Sequence, residues 1–446
     1  MAKLWDKGFN VNEKIDAFTV GKDRELDLLL APYDILGTMA HITMLESVGL
    51  LAADELEALL KELRSLYDLA VKGEFKIDPD VEDVHSQVEF ILTAKLGDLG
   101  KKVHTGRSRN DQVMVDVKLF TRAELRRTIE KTVALFNALS SASDRYKDVL
   151  MPGYTHLQVA MPSSFGLWFG AYSEILADDM EMLKAAWNVT NRNPLGSAAG
   201  YGSSAPLDRT MTTRLLGFED LDYNSIAAQM GRGKLERAVS FALSSVAETL
   251  GRFAADGCLF NSQNFGFVKL PNELTTGSSI MPHKKNPDVF ELIRSHCNKI
   301  CGAPNTIRLM TTNLPSGYFR DMQILKEVFL PLFQELDDCL DIAVFAIENM
   351  KITEGLMDDP KYKVAFSVEK VNELVASGVP FRDAYKQVGM SIERGEFEYS
   401  GKLSHTHEGS VGNLCNDRIR ARMERICAGM DFASVDSAVA SLLKNC

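Results

Sequence analysis

Ala238-Val239-Ser240-Phe241-Ala242-Leu243-Ser244-Ser245-Val246-Ala247-Glu248-Thr249-Leu250 is apolar around most of a helical turn. Ala238, Val239, Phe241, Ala242, Leu243, Val246, Ala247 and Leu250 leave little polar face, and a helix apolar on most sides must be buried on most sides. The surrounding pattern extends this helix over 231–260. Val113, Val117, Phe120, Leu125, Ile129, Val133, Phe136 and Leu139 recur at three- and four-residue steps and predict another over 109–147. Similar patterns run over 162–190, 287–312 and 322–350, with Pro162 opening the first and Pro331 kinking the last. All five exceed the usual helix length of about 11–12 residues. One chain of 446 residues offers limited cover for them, so the expectation is burial against other copies.

Outward from this bundle, residues 1–106 read as a smaller unit with helices near 31–49, 52–72 and 79–97. Asp54 opens the second and Asp78-Pro79 the third. Beyond 350, short charged helices alternate with Gly and Ser. The expected fold is mainly α, with helical domains over 1–106, 107–350 and 351–446. Hydrophobic content of 45% supplies a sizeable core, and a net charge of −11 argues against nucleic acid or an anionic membrane as partner. An anionic small-molecule substrate stays open, because local cations decide that. Met1–Lys7 lacks the apolar run of a signal peptide, and no stretch of about 18 uninterrupted apolar residues occurs. Seven cysteines without a C-x-x-C pair give no disulfide framework or zinc site. Cys297 and Cys301, one turn apart, read as packed thiols. A cytoplasmic protein without metal or cofactor is expected.

The stretch richest in chemistry is Gly277-Ser278-Ser279-Ile280-Met281-Pro282-His283-Lys284-Lys285-Asn286-Pro287. A Gly-Ser-Ser turn can surround a serine oxygen with backbone N–H groups. Lys284 adds a cation, and Asn286-Pro287 has the cap and first-turn grammar of a helix whose start is electropositive. The segment is suited to holding negative charge that appears during a reaction.

This stretch resembles the signature of the fumarase/aspartase superfamily, whose members cleave C–N or C–O bonds and release fumarate or a similar unsaturated acid. His104-Thr105-Gly106-Arg107-Ser108-Arg109-Asn110-Asp111-Gln112 and Pro152-Gly153-Tyr154-Thr155-His156-Leu157-Gln158 are similar to blocks of the argininosuccinate lyase family within it. The resemblance runs from about Ala31-Pro32-Tyr33-Asp34 to the final helices. It implies a central bundle of helices from four chains, active sites built from more than one chain, and β-elimination of arginine from argininosuccinate.

Such an elimination needs a base, a cationic cradle for a carboxylate that gains charge, and an acid for the leaving nitrogen. By resemblance Ser278 is the base, acting as a stabilised alkoxide, although spacing alone does not separate it from Ser279. Lys284 and Asn286 grip the carboxylate, while Lys285 points elsewhere. His156 is the acid or relays through water, with Glu291 as its carboxylate partner; acid and base roles could be exchanged between Ser278 and His156. Ser108, Arg109, Asn110 and Thr155 hold the succinyl carboxylates. Tyr318, Gln323 and Lys326 receive the arginine half, and Asp27, the aspartate kept from the family's N-terminal Asp-x-x-Leu-Ala stretch, also binds substrate. His85 matches a family histidine, and a helix-surface position fits it nearly as well. Glu291 could equally pair with Arg294 on the helix surface.

Three positions depart from the pattern. Asp23 stands where the family usually offers a serine, Met230-Gly231-Arg232-Gly233 keeps only the arginine of a Ser-Asp-Arg-Asp run, and His283 replaces a glutamine. Histidine there is commoner in adenylosuccinate lyases, which remain the same-class alternative. A non-catalytic structural protein on the same scaffold is a third reading, disfavoured by the presence of Ser278, Lys284, Asn286 and His156.

Overall fold

The computed structural model describes residues 13–444; Met1–Lys7 and the last of the seven cysteines, Cys446, lie outside the described residues. Five long helices carry the centre: Arg109–Arg145, Phe165–Thr190, Lys234–Asn261, Asp288–Met310 and Pro331–Asn349. The first has 37 residues and so spans about 55 Å. Their apolar faces meet in one core in which Trp168 stacks on Phe253 at 5.4 Å and Phe253 meets Phe290 edge-on at 6.1 Å. Glycine sets the closest approach. A Cβ on Gly257 would stand 2.8 Å from the Phe290 ring, so only glycine lets the 234–261 and 288–310 helices come this near.

Proline and cap chemistry move several helix ends from where periodicity placed them. Pro162 opens no helix: Gln158–Ser164 is a strand paired antiparallel with Leu150–Thr155. The helix begins at Phe165, where Ser164 Oγ accepts from Leu167 N at 3.0 Å. Pro331 does not kink a continuous helix either. It occupies the first position of Pro331–Asn349, after a 3₁₀ turn Arg320–Gln323 and a short helix Leu325–Phe329. The helix expected from residue 79 starts at Val84, because Asp83 accepts from Ser86 N at 2.8 Å. The helix expected from residue 31 starts at Asp23 and runs through Pro32 to Ser47. Asn286 lies in a bridge to Thr276, and Pro287 takes the cap position assigned to it.

Asp23–Ser47 joins the central core to a second one, shared with Ala53–Val71 and Val84–Leu96. It is long and apolar enough to cross a membrane, but 72% of its apolar window is buried within the protein. Asn416–Lys444 passes the same test of composition, yet it is broken into helices of 12 and 13 residues, each too short to span about 30 Å. A small third core gathers Val371, Ala384, Val388 and Phe397. From there the chain returns to the bundle, with Arg422 paired to Asp178 and Phe432 edge-on to Trp187 at 4.9 Å. Cys297 is buried as expected, whereas Cys301 is exposed.

Candidate active site

A cavity of about 250 Å³ lies where the 23–47, 84–96 and 109–145 helices begin, facing the 318–326 segment. Ser108 builds one wall by ending the preceding loop in a capping box. Its Oγ accepts from Asn110 N at 3.3 Å, and its N–H donates to Asp111 Oδ1 at 2.9 Å. Arg109 and Asn110 thereby occupy a first helical turn, the electropositive end. The Arg109 guanidinium donates to Glu82 Oε2 at 3.1 Å and Ser86 Oγ at 2.9 Å, with Asp83 Oδ2 at 3.1 Å.

Opposite, Lys326 Nζ stands 2.7 Å from both Asp23 Oδ1 and Asp27 Oδ1. Gln323 Nε2 donates to Thr19 O at 2.8 Å, which ties the segment to the N-terminal helix. Arg232 is buried, paired with Glu236 at 2.7 Å and donating to Met322 O at 2.8 Å. Gly233 beside it has φ 77°, and a Cβ there would meet Thr311 at 2.6 Å. The glycine flank that departs from the family pattern is therefore required here. Four carboxylates (Asp23, Asp27, Glu82, Asp83) and four permanent cations (Arg109, Arg232, Arg320, Lys326) line the cavity, a balance that suits a zwitterion.

Burial sets the electrostatics and the charges modify it. Asp23 is pushed up to about 6 by burial, with Asp27 and Asp83 adding to the rise and Lys326 opposing it. Burial opposes the Lys326 charge, but Asp27 and Asp23 more than offset that and raise it. His85 is 8% exposed, not on the helix surface; burial opposes its charge, and Asp34, then Asp83 and Asp27, overcome this and raise it.

The cavity gathers Asp27, His85, Arg109, Asn110, Tyr318, Gln323 and Lys326, with Ser108 adjoining as the cap. It does not gather Thr155, His156, Ser278, Lys284, Asn286 or Glu291. His156 and Leu157 form the two-residue turn of the 150–164 hairpin, with φ 54° and 57°, and leave Thr155 and His156 exposed at its tip. Ser278 to Lys284 form a loop closed by the Gly277–Lys285 and Thr276–Asn286 pairs. Ser278 Oγ accepts from Ile280 N at 3.3 Å and Met281 N at 3.1 Å, which is the backbone cradle that the glycine-led turn predicts. Lys285 is turned away onto Asn272 Oδ1 at 2.6 Å. Glu291 is exposed and, among the described residues, pairs with neither His156 nor Arg294.

Sequence reasoning missed Glu82, Asp83 and Arg320 as lining residues, along with two buried aspartates behind His85, Asp34 and Asp116. The last two had a usable signal. Each interrupts an apolar helical run, Ile35-Leu36 following Asp34 and Val115 and Val117 flanking Asp116.

A family model described as Lyase matches residues 13–302. The argininosuccinate lyase of Phocaeicola vulgatus is 64% identical over 441 residues, covering 99% of each chain. Among solved structures, EDDS lyase in complex with formate aligns at a TM-score of 0.81 over 97% of this chain and 95% of that one, at 22% identity. Class II fumarase from Schistosoma mansoni aligns at 0.72 over 97% of each chain, at 16% identity. The fold is thus mainly helical and fumarase/aspartase-like.

Proposed function

The chain belongs to the lyase family, and from that premise we propose that it cleaves argininosuccinate to L-arginine and fumarate, a C–N bond elimination in arginine biosynthesis. The near-full-length likeness to argininosuccinate lyase carries this reading, and the cavity supplies chemistry to match. A zwitterionic amino-acid end finds an ammonium (Lys326) flanked by carboxylates (Asp23, Asp27), with Tyr318 and Gln323 beside it. The succinyl carboxylates find Arg109 and Asn110 on an electropositive helix end, with Ser108 and Thr155 completing their hold.

In the reaction, Ser278 Oγ takes the proton from the carbon next to the succinyl carboxylate. Two N–H groups on that oxygen favour its alkoxide form. Lys284 and Asn286 balance the charge that builds on the carboxylate. The C–N bond then breaks, its electron pair stays on the guanidino nitrogen, and His156 protonates it, with Glu291 of another copy of the chain as the carboxylate partner that the resemblance implies.

We read the working enzyme as a homotetramer whose sites combine chains, as the family resemblance implies; within one chain the exposed His156 and the partly exposed Ser278 stand apart from the cavity residues, which supports shared sites. Supporting this, Phe241, Leu292 and Phe345 point outward from the central helices at 59%, 59% and 46% exposure. An apolar groove of about 590 Å³ between the 288–310 and 331–349 helices offers a seat for another copy. Six free cysteines among the described residues fit a reducing cytoplasm.

Fumarate's ultraviolet absorbance should rise when the purified protein meets argininosuccinate and stay flat with adenylosuccinate; the reverse pattern overturns the substrate. Ser278→Ala should abolish turnover while sizing still reports four chains.

A further inference from the structure

Behind the cavity three helices bring three buried groups together. Asp34 from the 23–47 helix, His85 from 84–96 and Asp116 from 109–145 each place one oxygen or nitrogen within 4.8 Å of the others. His85 Nδ1 is 2.7 Å from Asp34 Oδ1 and 3.5 Å from Asp116 Oδ2. Gln112 Nε2 also donates to Asp34 Oδ1, at 2.7 Å. Both aspartates are 0% exposed. The second oxygen of Asp34 and both oxygens of Asp116 accept no hydrogen bond among the described residues, His85 reaching Asp116 Oδ2 only as an ion pair at 3.5 Å. Two ionised carboxylates cannot be held so close in a dry site without strong repulsion, and orphaned acceptors are costly there.

We propose that Asp34 and Asp116 hold one proton between them, and that the resulting single negative charge keeps His85 an imidazolium facing the substrate cavity. Asp34 and Asp116 are then positioning residues for the elimination. This rests on the cavity being the site of the reaction proposed above. A proton on Asp116 removes the repulsion and lets its O–H donate to Asp34. His85 becomes a rigid cation for a substrate carboxylate, without an exposed flexible side chain.

The neighbouring groups fit this charge state. Burial and then Asp34 push the Asp116 carboxyl well above the usual carboxylate range. For Asp34, burial opposes the charge, while His85, Arg107 and Gln112 more than compensate and lower it. Arg107, buried and donating to Thr38 Oγ1 at 2.9 Å, supplies the remaining positive charge from the loop before the 109–145 helix. His41 and His104 beside it are depressed, to about 3 and about 4, by burial and then by Arg107, so neither competes for the proton near neutral pH. Asp111 is taken up by the N–H groups of Ser108, Gly196 and Ala198. Glu89 is raised chiefly by burial, with Arg107 and Arg109 opposing the rise and Asp83, at the cap of its helix, adding a little to it. With Arg107 and His85 already cationic, a divalent ion would leave these four groups at a net charge of about +2, against about +1 with a single proton, so the proton costs less in this buried site.

Infrared spectroscopy of the full-length protein at pH 7 should show the carbonyl stretch of a buried protonated carboxylic acid, shifted in deuterium oxide and lost in Asp116→Asn. Nitrogen-15 spectra, with the His85 signal assigned by its loss in His85→Gln, should show the ring doubly protonated. Asp34→Asn should move the alkaline limb of kcat/KM to lower pH by more than about one unit. Absence of the infrared band, its survival in Asp116→Asn, or a neutral His85 at pH 7 overturns the proposal. So does a divalent metal bound one per chain and lost in Asp116→Asn. The infrared result needs no substrate, so it stands or falls separately from the assignment of argininosuccinate.

Discussion

Replacing Asp23 by asparagine should make the protein more stable at alkaline pH and less able to hold substrate. Burial lifts the Asp23 carboxyl from 3.8 to about 6 in the folded chain, even with Lys326 at 2.7 Å. A carboxyl whose folded value lies above its unfolded one favours the fold below pH 3.8 relative to higher pH. That advantage disappears as pH rises through about 6, beyond which the buried charge is a standing cost. A rise of about 2.2 units corresponds to about 3 kcal/mol at pH 8. An asparagine side chain in its place is neutral at every pH and still offers Lys326 an amide oxygen. With 446 residues at roughly 2.1 cal/mol/K each, unfolding entropy is about 0.9 kcal/mol/K, so the gain is about 3 °C in melting temperature. Scanning calorimetry of both proteins at pH 5 and pH 8 tests this. The difference in favour of Asp23→Asn should be about 3 kcal/mol at pH 8 and about half that at pH 5, where the unfolded carboxyl is already ionised and the folded one is not, accompanied by a higher KM. A variant that melts lower at pH 8, or by the same margin at both values, would refute the view that burial dominates this carboxylate.

Gly166→Ala should cost about 1–3 kcal/mol, because its Cβ would stand 2.5 Å from Lys147 Cα and 2.7 Å from Ser143 O; the denaturant midpoint measures this. His156→Asn should keep the hairpin, since asparagine tolerates positive φ, and still lose turnover. Circular dichroism and the fumarate assay separate the two effects, and near-normal activity would remove His156 from the mechanism. Lys326→Met should leave two buried carboxylates without their cation and cost about 3–5 kcal/mol at pH 8, less at pH 5 where Asp23 takes up a proton. Equal loss at both values would count against that ion cluster.

Helix type and number in the bundle were legible because period-3.6 burial is written directly in residues such as Val113, Val117, Phe120 and Leu243. The serine cradle in the 277–287 loop was legible too, since a glycine-led turn presents backbone N–H groups through local geometry alone. Helix ends were less so. Ser164 and Asp83 win the cap positions by hydrogen bonds that compete with proline grammar at Pro162 and Pro79, and only the folded backbone settles such a contest. The proximity of Asp34, His85 and Asp116 was beyond reach of any one-dimensional pattern, for they sit on three helices whose relative placement depends on packing. The sequence by itself determined which segments are helical and which residues carry reactive groups, because both follow from local spacing and chemical type. Tertiary structure alone decided which charges share a low-dielectric cavity, because desolvation and Coulomb energy depend on distances between elements far apart in the chain.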